Sequence, residues 1–232
     1  MELTPELSIL SILLIGFVIG LRHALDADHL AAVSAIVSDR KSFWSSSIVG
    51  GLWGIGHTIS LFVVGALVIF LKINIPETAE AYLEAVVGLM LIVLGLNVLR
   101  KLFAAEKLHA HEHSHNGHVH THVHLHEARE DSAHHSFSPR SVIVGMVHGL
   151  AGSAGLMLLI LPTIDSSVLA MAFILVFGIG SIGGMIVMSF LMGLPLHFTA
   201  GRFAALNKSI RIAAGLFSFG LGMMIVYEKL RT

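Results

Sequence analysis

Long apolar runs separated by short polar stretches dominate the chain. They cover residues 7–37, 44–71, 82–103, 141–161, 168–192 and 210–227, most of them close to the length of a membrane-spanning helix, about 20 residues. The run at 7–37 exceeds one straight crossing, so it must tilt, break or extend beyond the bilayer. Turn and breaker signals fall between the runs: Ser38-Asp39-Arg40-Lys41, Asn74-Ile75-Pro76, Pro162 with Asp165, and Gly201 onward. The pattern predicts an all-α polytopic membrane protein with six transmembrane helices.

The two halves resemble each other. Gly20-Leu21-Arg22-His23-Ala24-Leu25 matches Gly145-Met146-Val147-His148-Gly149-Leu150, and Gly54-Ile55-Gly56-His57 matches Gly178-Ile179-Gly180-Ser181. Gly88-Leu89 and Gly95 match Gly215-Leu216 and Gly222, in the same order and at offsets of 124 to 127 residues. Three spans per half is an odd number, so the second half must enter from the opposite side, giving two inverted three-helix repeats. That is the architecture of many secondary transporters, whose sites lie near the midplane between the halves. The expected organisation is a first repeat at 1–103, a histidine-rich loop at 104–139 and a second repeat at 140–232.

Composition removes several function classes. Hydrophobic residues make up 55% of the chain and charged residues 12%, against about a quarter charged in soluble domains. A chain of this length has too little core volume to hide so much hydrocarbon in water. The absence of cysteine excludes disulfides, thiolate metal sites and thiol redox chemistry. A net charge of −1 gives no sign of a nucleic-acid partner. The N-terminal run lacks a preceding basic region and a small-residue cleavage site, so it is expected to be the first mature span rather than a signal peptide. Arg40, Lys41, Arg100, Lys101, Lys107, Arg129, Arg140, Arg202, Lys208 and Arg211 lie in one set of loops, and Lys72, Lys229 and Arg231 in the opposite set. The positive-inside rule puts the first set in the cytoplasm and both termini outside a bacterial-type inner membrane.

Within the first run, Arg22-His23-Ala24-Leu25-Asp26-Ala27-Asp28-His29 holds five ionisable residues in eight positions. A charge at the bilayer centre costs about 2.5–3.5 kcal/mol even on a lenient insertion scale, so such a cluster marks function by default. On a continuous helix His23, Asp26 and His29 fall within one arc of roughly 120°. Two imidazoles and a carboxylate converging there suit nickel, cobalt or zinc. Asp28 would then point away and orient a ligand or pair with a neighbour. Arg22, one turn before Asp26, could pair with it when the metal is absent. A charged interfacial anchor is the blander reading, but an anchor needs basic residues rather than paired His and Asp.

Four further features bear on the same chemistry. His57 lies mid-span among small residues that permit close helix contact, and could reach the first helix as another ligand. His148 holds the repeat position of His23, yet its surroundings lack a carboxylate. His197, after Pro195, reads as an interfacial or vestibule residue. Residues 108–137 contain eleven of the sixteen histidines. There His109, His111, His113 and His115 alternate with other residues, as do His118, His120, His122, His124 and His126. Alternate residues of an extended chain share a side, so neighbouring imidazoles can chelate together. This composition makes a stable fold unexpected, and the segment reads as a flexible cytoplasmic metal-binding tract.

Arg22-His23-Ala24-Leu25-Asp26-Ala27-Asp28-His29-Leu30 closely resembles the R-H-A-x-D-A-D-H-I motif of the nickel/cobalt permease family. Gly56-His57-Thr58 is similar to that family's G-H-S element in the following helix. The resemblance implies that His23, Asp26, Asp28, His29 and His57 handle metal, with His148 and Arg22 as further candidates. Long members have eight spans and a D-T-A-T-E element, which His148 to Gly155 replaces here, so the chain looks like the short, urease-accessory-type or efflux-type branch. The expected function is non-enzymatic: uptake of nickel or cobalt ions, with zinc as a further substrate, no prosthetic group, the lipid bilayer as solvent, and a urease-type maturation machinery as partner. Efflux, zinc or manganese transport by another family, and metal sensing or assembly of a nickel enzyme are the alternatives.

Overall fold

The computed structural model describes residues 5–40, 42–73, 76–104, 109–115, 118–124, 139–151, 164 and 166–231. These form α1 (Pro5–His23), α2 (Ala27–Val37), α3 (Phe43–Leu71), α4 (Glu77–Ala104), β1 (His109–His115), β2 (His118–His124), α5 (Pro139–Ala151), α6 (Ser167–Thr199) and α7 (Ala204–Lys229). Among the described residues four helices, α3, α4, α6 and α7, are long and apolar enough to cross a membrane. The pair α1–α2 adds a fifth if its two bent arms count as one span. Residues 152–161 of the run expected at 141–161 lie outside the described residues, as do His126 and most of the turn signals at 74–75 and 162–165.

The run at 7–37 breaks. Helix α1 stops at His23, and α2 restarts at Ala27 at an angle of 54°. Neither proline nor glycine causes it. The amides of Leu25 and Asp26 bond back to the carbonyls of Arg22 and His23 in a tight turn, and Asp26 takes an extended conformation as the residue before α2. Asp28 then sits in the first turn of α2, where a carboxylate complements the positive end of the helix. On the inner side of the break His23, Ala24 and His29 are buried, while Leu25, Asp26 and Ala27 are exposed.

Glycine sets the packing of the arms. A Cβ at Gly20 would lie 2.1 Å from the Phe177 carbonyl oxygen, and one at Gly56 2.1 Å from that of Val142. Gly16 and Gly20 face Phe173 and Phe177, so α1 and α6 run parallel. Gly145 and Gly149 face Trp53 and His57, so α5 and α3 are parallel as well. By contrast Gly54 meets Ile182 while Gly65 meets Ile174, which makes α3 and α6 antiparallel. Gly88 against Gly222 and Gly95 against Gly215 do the same for α4 and α7. Small residues admit this close backbone approach, which is how apolar helices associate where lipid removes the hydrophobic drive. Two hydroxyl bonds cross the same seams, Thr58 to the Gly178 carbonyl at 3.3 Å and Ser218 to the Leu91 carbonyl at 2.8 Å.

Trp53, Met185, Leu91 and the small residues of α2 form the central core, and Phe173, Ile174, Phe177 and Leu61 a second cluster. Outside, Leu14, Val18, Ile48, Val63, Val93 and Leu216 stand exposed, an apolar girdle that suits lipid rather than water. Asp39, just past α2, bonds Lys101 at 2.5 Å and Arg211 at 2.6 Å, tying that end of α2 to α4 and α7. The histidine-rich segment departs from the expectation of no regular structure. It holds an antiparallel hairpin in which His109, His111, His113 and His115 pair in register with His124, His122, His120 and His118. In β2 histidine alternates with valine and threonine, which favour extended backbone, and that outweighed the polarity on which the expectation rested.

Candidate metal centre

Four histidines meet at the break. His23 ends α1, His29 lies in the first turn of α2, His57 is mid-way along α3 and His148 near the end of α5. All are buried: His23 is 3% exposed and the other three 0%. Their rings lie close, with centroids 4.3 Å apart for His23 and His29, 4.2 Å for His29 and His148, 5.3 Å for His23 and His57, and 5.2 Å for His29 and His57. Ligand atoms of His23, His29 and His57 lie within 4.8 Å of one another, and so do those of Asp28, His29 and His148. The two groups share His29.

Two carboxylates orient the rings. Asp26 accepts from His23 Nδ1 at 2.7 Å. One oxygen of Asp28 accepts from His29 Nδ1 at 3.1 Å and from the His29 backbone amide at 2.9 Å, while its other oxygen accepts from His148 Nε2 at 3.0 Å. Carboxylate acceptance assigns the proton to each bonded nitrogen. In a neutral imidazole the opposite nitrogen carries a lone pair. Those atoms, His23 Nε2, His29 Nε2 and His148 Nδ1, are buried with no hydrogen-bond partner among the described residues, as are both nitrogens of His57.

A buried polar atom without a partner costs about 1–3 kcal/mol. One such histidine is unremarkable in a core; four with their rings against one another are not explained by packing. A carboxylate bonded behind an imidazole is the usual arrangement around a metal-ligating histidine, where it sets the tautomer and raises basicity. Two carboxylates also match the charge of a divalent cation, and imidazole is a good donor for nickel, cobalt, copper and zinc.

The helical-wheel expectation for the carboxylates is corrected. With α1 ended at His23, Asp26 no longer continues the arc of His23 and His29; its side chain is 48% exposed and turned back onto His23. Asp28, expected to point away, faces inward to His29 and His148 with 21% side-chain exposure. Among the described residues Asp26 pairs with His23 and not with Arg22, which is exposed. His148, though its own segment lacks a carboxylate, reaches one on the other half of the chain. His197 is exposed and packs its ring on Phe43 at 5.2 Å, outside this cluster.

Aromatic walls were missed in the sequence. Trp53 stands 5.2 Å from His29 and 5.3 Å from His148, and Phe177 5.4 Å from His23. They lie 124 residues apart, the repeat offset, and each accepts a glycine against its carbonyl, Gly145 on Trp53 and Gly20 on Phe177. That shared offset was the signal available.

The chain is 35% identical over 227 residues to the urease accessory protein UreH of Bacillus sp. (strain TB-90), covering 96% of this chain and 93% of that one. It is 25% identical over 213 residues to the chloroplast protein FOR GROWTH AND FERTILITY 1 of Arabidopsis thaliana, of which it spans 57%. A stretch of 72 residues is 32% identical to the high-affinity nickel transport protein of Cupriavidus necator, covering 31% of this chain and 20% of that one. No protein-family model and no solved structure matches.

Proposed function

The chain belongs to the family of the urease accessory protein UreH, and on that premise we propose that it carries nickel ions into the cell through the buried histidine centre. The observation that carries the proposal is the set of four buried imidazoles, three of them oriented by carboxylates, whose remaining nitrogens have no protein partner among the described residues. His23, His29 and His57 form the principal ligand set, Asp26 and Asp28 hold the rings and balance the charge, and His148 closes the centre from the second half. The names of the relatives, one a urease accessory protein and one a nickel transport protein, favour nickel over cobalt and zinc, which the donors alone would accept.

The architecture we propose is six spans in two inverted repeats, 1–103 and 140–232, with α1 and α2 as one broken span. Paired contacts support it. The approach of Gly20 to Phe177 recurs as Gly145 to Trp53, and that of Gly56 to Val142 recurs as Gly180 to Phe17, as a two-fold axis in the membrane plane would require. The excess of basic residues between the halves supports a cytoplasmic loop and outward termini in the inner membrane. Histidine paired with histidine along the hairpin supports a role for 104–139 in holding metal on the cytoplasmic side, from which a urease-type maturation machinery would draw.

Accumulation of radioactive nickel in cells expressing the chain tests this, with His23→Ala as the control, its membrane abundance matched. Uptake above the control is expected, with excess cobalt competing more strongly than zinc. Accumulation below the control would make the chain an exporter, and equal accumulation would remove nickel transport through this centre.

A further inference from the structure

A cavity of about 260 Å³ opens beside the break, lined by Ala27, Asp28, Glu84, Val87, Leu221 and Ile225. Helix α4 begins at Glu77 and α7 ends at Lys229, so Glu84 lies about a turn or two inside one end of the bundle. Because α4 and α7 are antiparallel, Lys229 reaches the same level and bonds Glu84 at 2.7 Å, the two side chains 27% and 30% exposed. The cavity therefore has an inner carboxylate, Asp28, which holds two of the buried histidines, and an outer carboxylate, Glu84, held by a lysine. Valine, leucine and isoleucine line the rest.

We propose that this cavity is the vestibule through which a divalent cation reaches the histidine centre, with Glu84 as the receiving ligand and Lys229 as its displaceable counter-ion. The inference rests on the transport reading for its purpose, though not for its test. Water takes about 30 Å³ per molecule in the liquid, so six waters need about 180 Å³. The volume thus accommodates a divalent ion with its inner hydration shell, which borderline cations shed only when ligands replace it. An apolar wall between the two carboxylates gives the ion no intermediate resting place. Glu84 would bind it hydrated, releasing Lys229, and Asp28 would draw it on to the imidazoles. Lysine occupancy at Glu84 balances the outer charge while no divalent ion is present, and a monovalent ion gains less than a divalent one from displacing it.

The absence of native cysteine permits a direct test in the full-length protein. Leu221→Cys and Ile225→Cys, each in intact membranes, are treated with a membrane-impermeant maleimide from the side of the chain termini, with increasing nickel chloride as protectant. Labelling at both positions is expected, with nickel protecting them. Adding Glu84→Gln should raise the protecting concentration about two- to fivefold, the worth of one partly exposed ionic contact. Glu84→Asp should restore most of it, and Lys229→Gln should lower it. No labelling at either position, or protection unchanged by Glu84→Gln, overturns the proposal. Wild-type cells that accumulate no nickel while labelling and protection behave as expected would sink the transport reading and leave the vestibule standing.

Discussion

Asp28→Asn is the sharpest perturbation of the centre. The amide is nearly isosteric, so packing is preserved while the chemistry changes. In the native protein one oxygen takes the His29 ring and backbone N–H groups and the other takes His148 Nε2. Asparagine has one acceptor oxygen and a donor NH2. If the oxygen stays on His29, the NH2 faces His148 Nε2, which must then accept; the proton moves to Nδ1 and fills the nitrogen otherwise left for metal. Turning the amide over transfers the damage to His29. Loss of an orienting partner behind a ligand costs about 10–100-fold in metal affinity, and here one carboxylate serves two rings. We therefore expect the upper end, about 100-fold or ~2.7 kcal/mol. Calorimetric titration of the purified full-length chain with nickel measures it, after subtracting a His23→Ala/His57→Ala variant to remove binding by the loop. Asp39→Asn is the control, since its carboxylate pairs with Lys101 and Arg211, about 15 Å away along α2. A loss below threefold, or an equal loss in the control, would refute the orienting role.

Gly56→Val should force α3 and α5 apart, because a Cβ there would stand 2.1 Å from a backbone carbonyl oxygen that cannot yield. A fall of several degrees in the temperature at which the protein leaves the monodisperse peak is expected, whereas Gly220→Ala, with nothing within 4 Å of the added carbon, should leave it unchanged or raise it, alanine being favoured by about 1 kcal/mol in a helix. Removing residues 108–137 should lower the number of nickel ions bound per chain while transport persists. Complete loss of transport in a well-expressed deletion would place the essential site in the loop instead.

Much of this protein is legible in its sequence because each local signal carries its own physics. Twenty-residue apolar runs have few alternatives to crossing a bilayer, since every backbone polar group must be satisfied within the segment. Five ionisable residues amid apolar ones announced the position of the centre, and recurrent glycines marked where helices touch. The roles within that centre depended on something no window of sequence holds. A helical wheel assumes an unbroken helix; once the chain turns at Ala24 to Asp26, residues beyond the turn face new directions, and Asp26 and Asp28 exchange places. Trp53, Phe177 and Glu84, and the carboxylate that His148 bonds, came into the picture only through contacts with other helices. Their partners lie 24 to 154 residues away. Local pattern decides which segments enter the membrane; the fit of one backbone against another decides which side chains then meet.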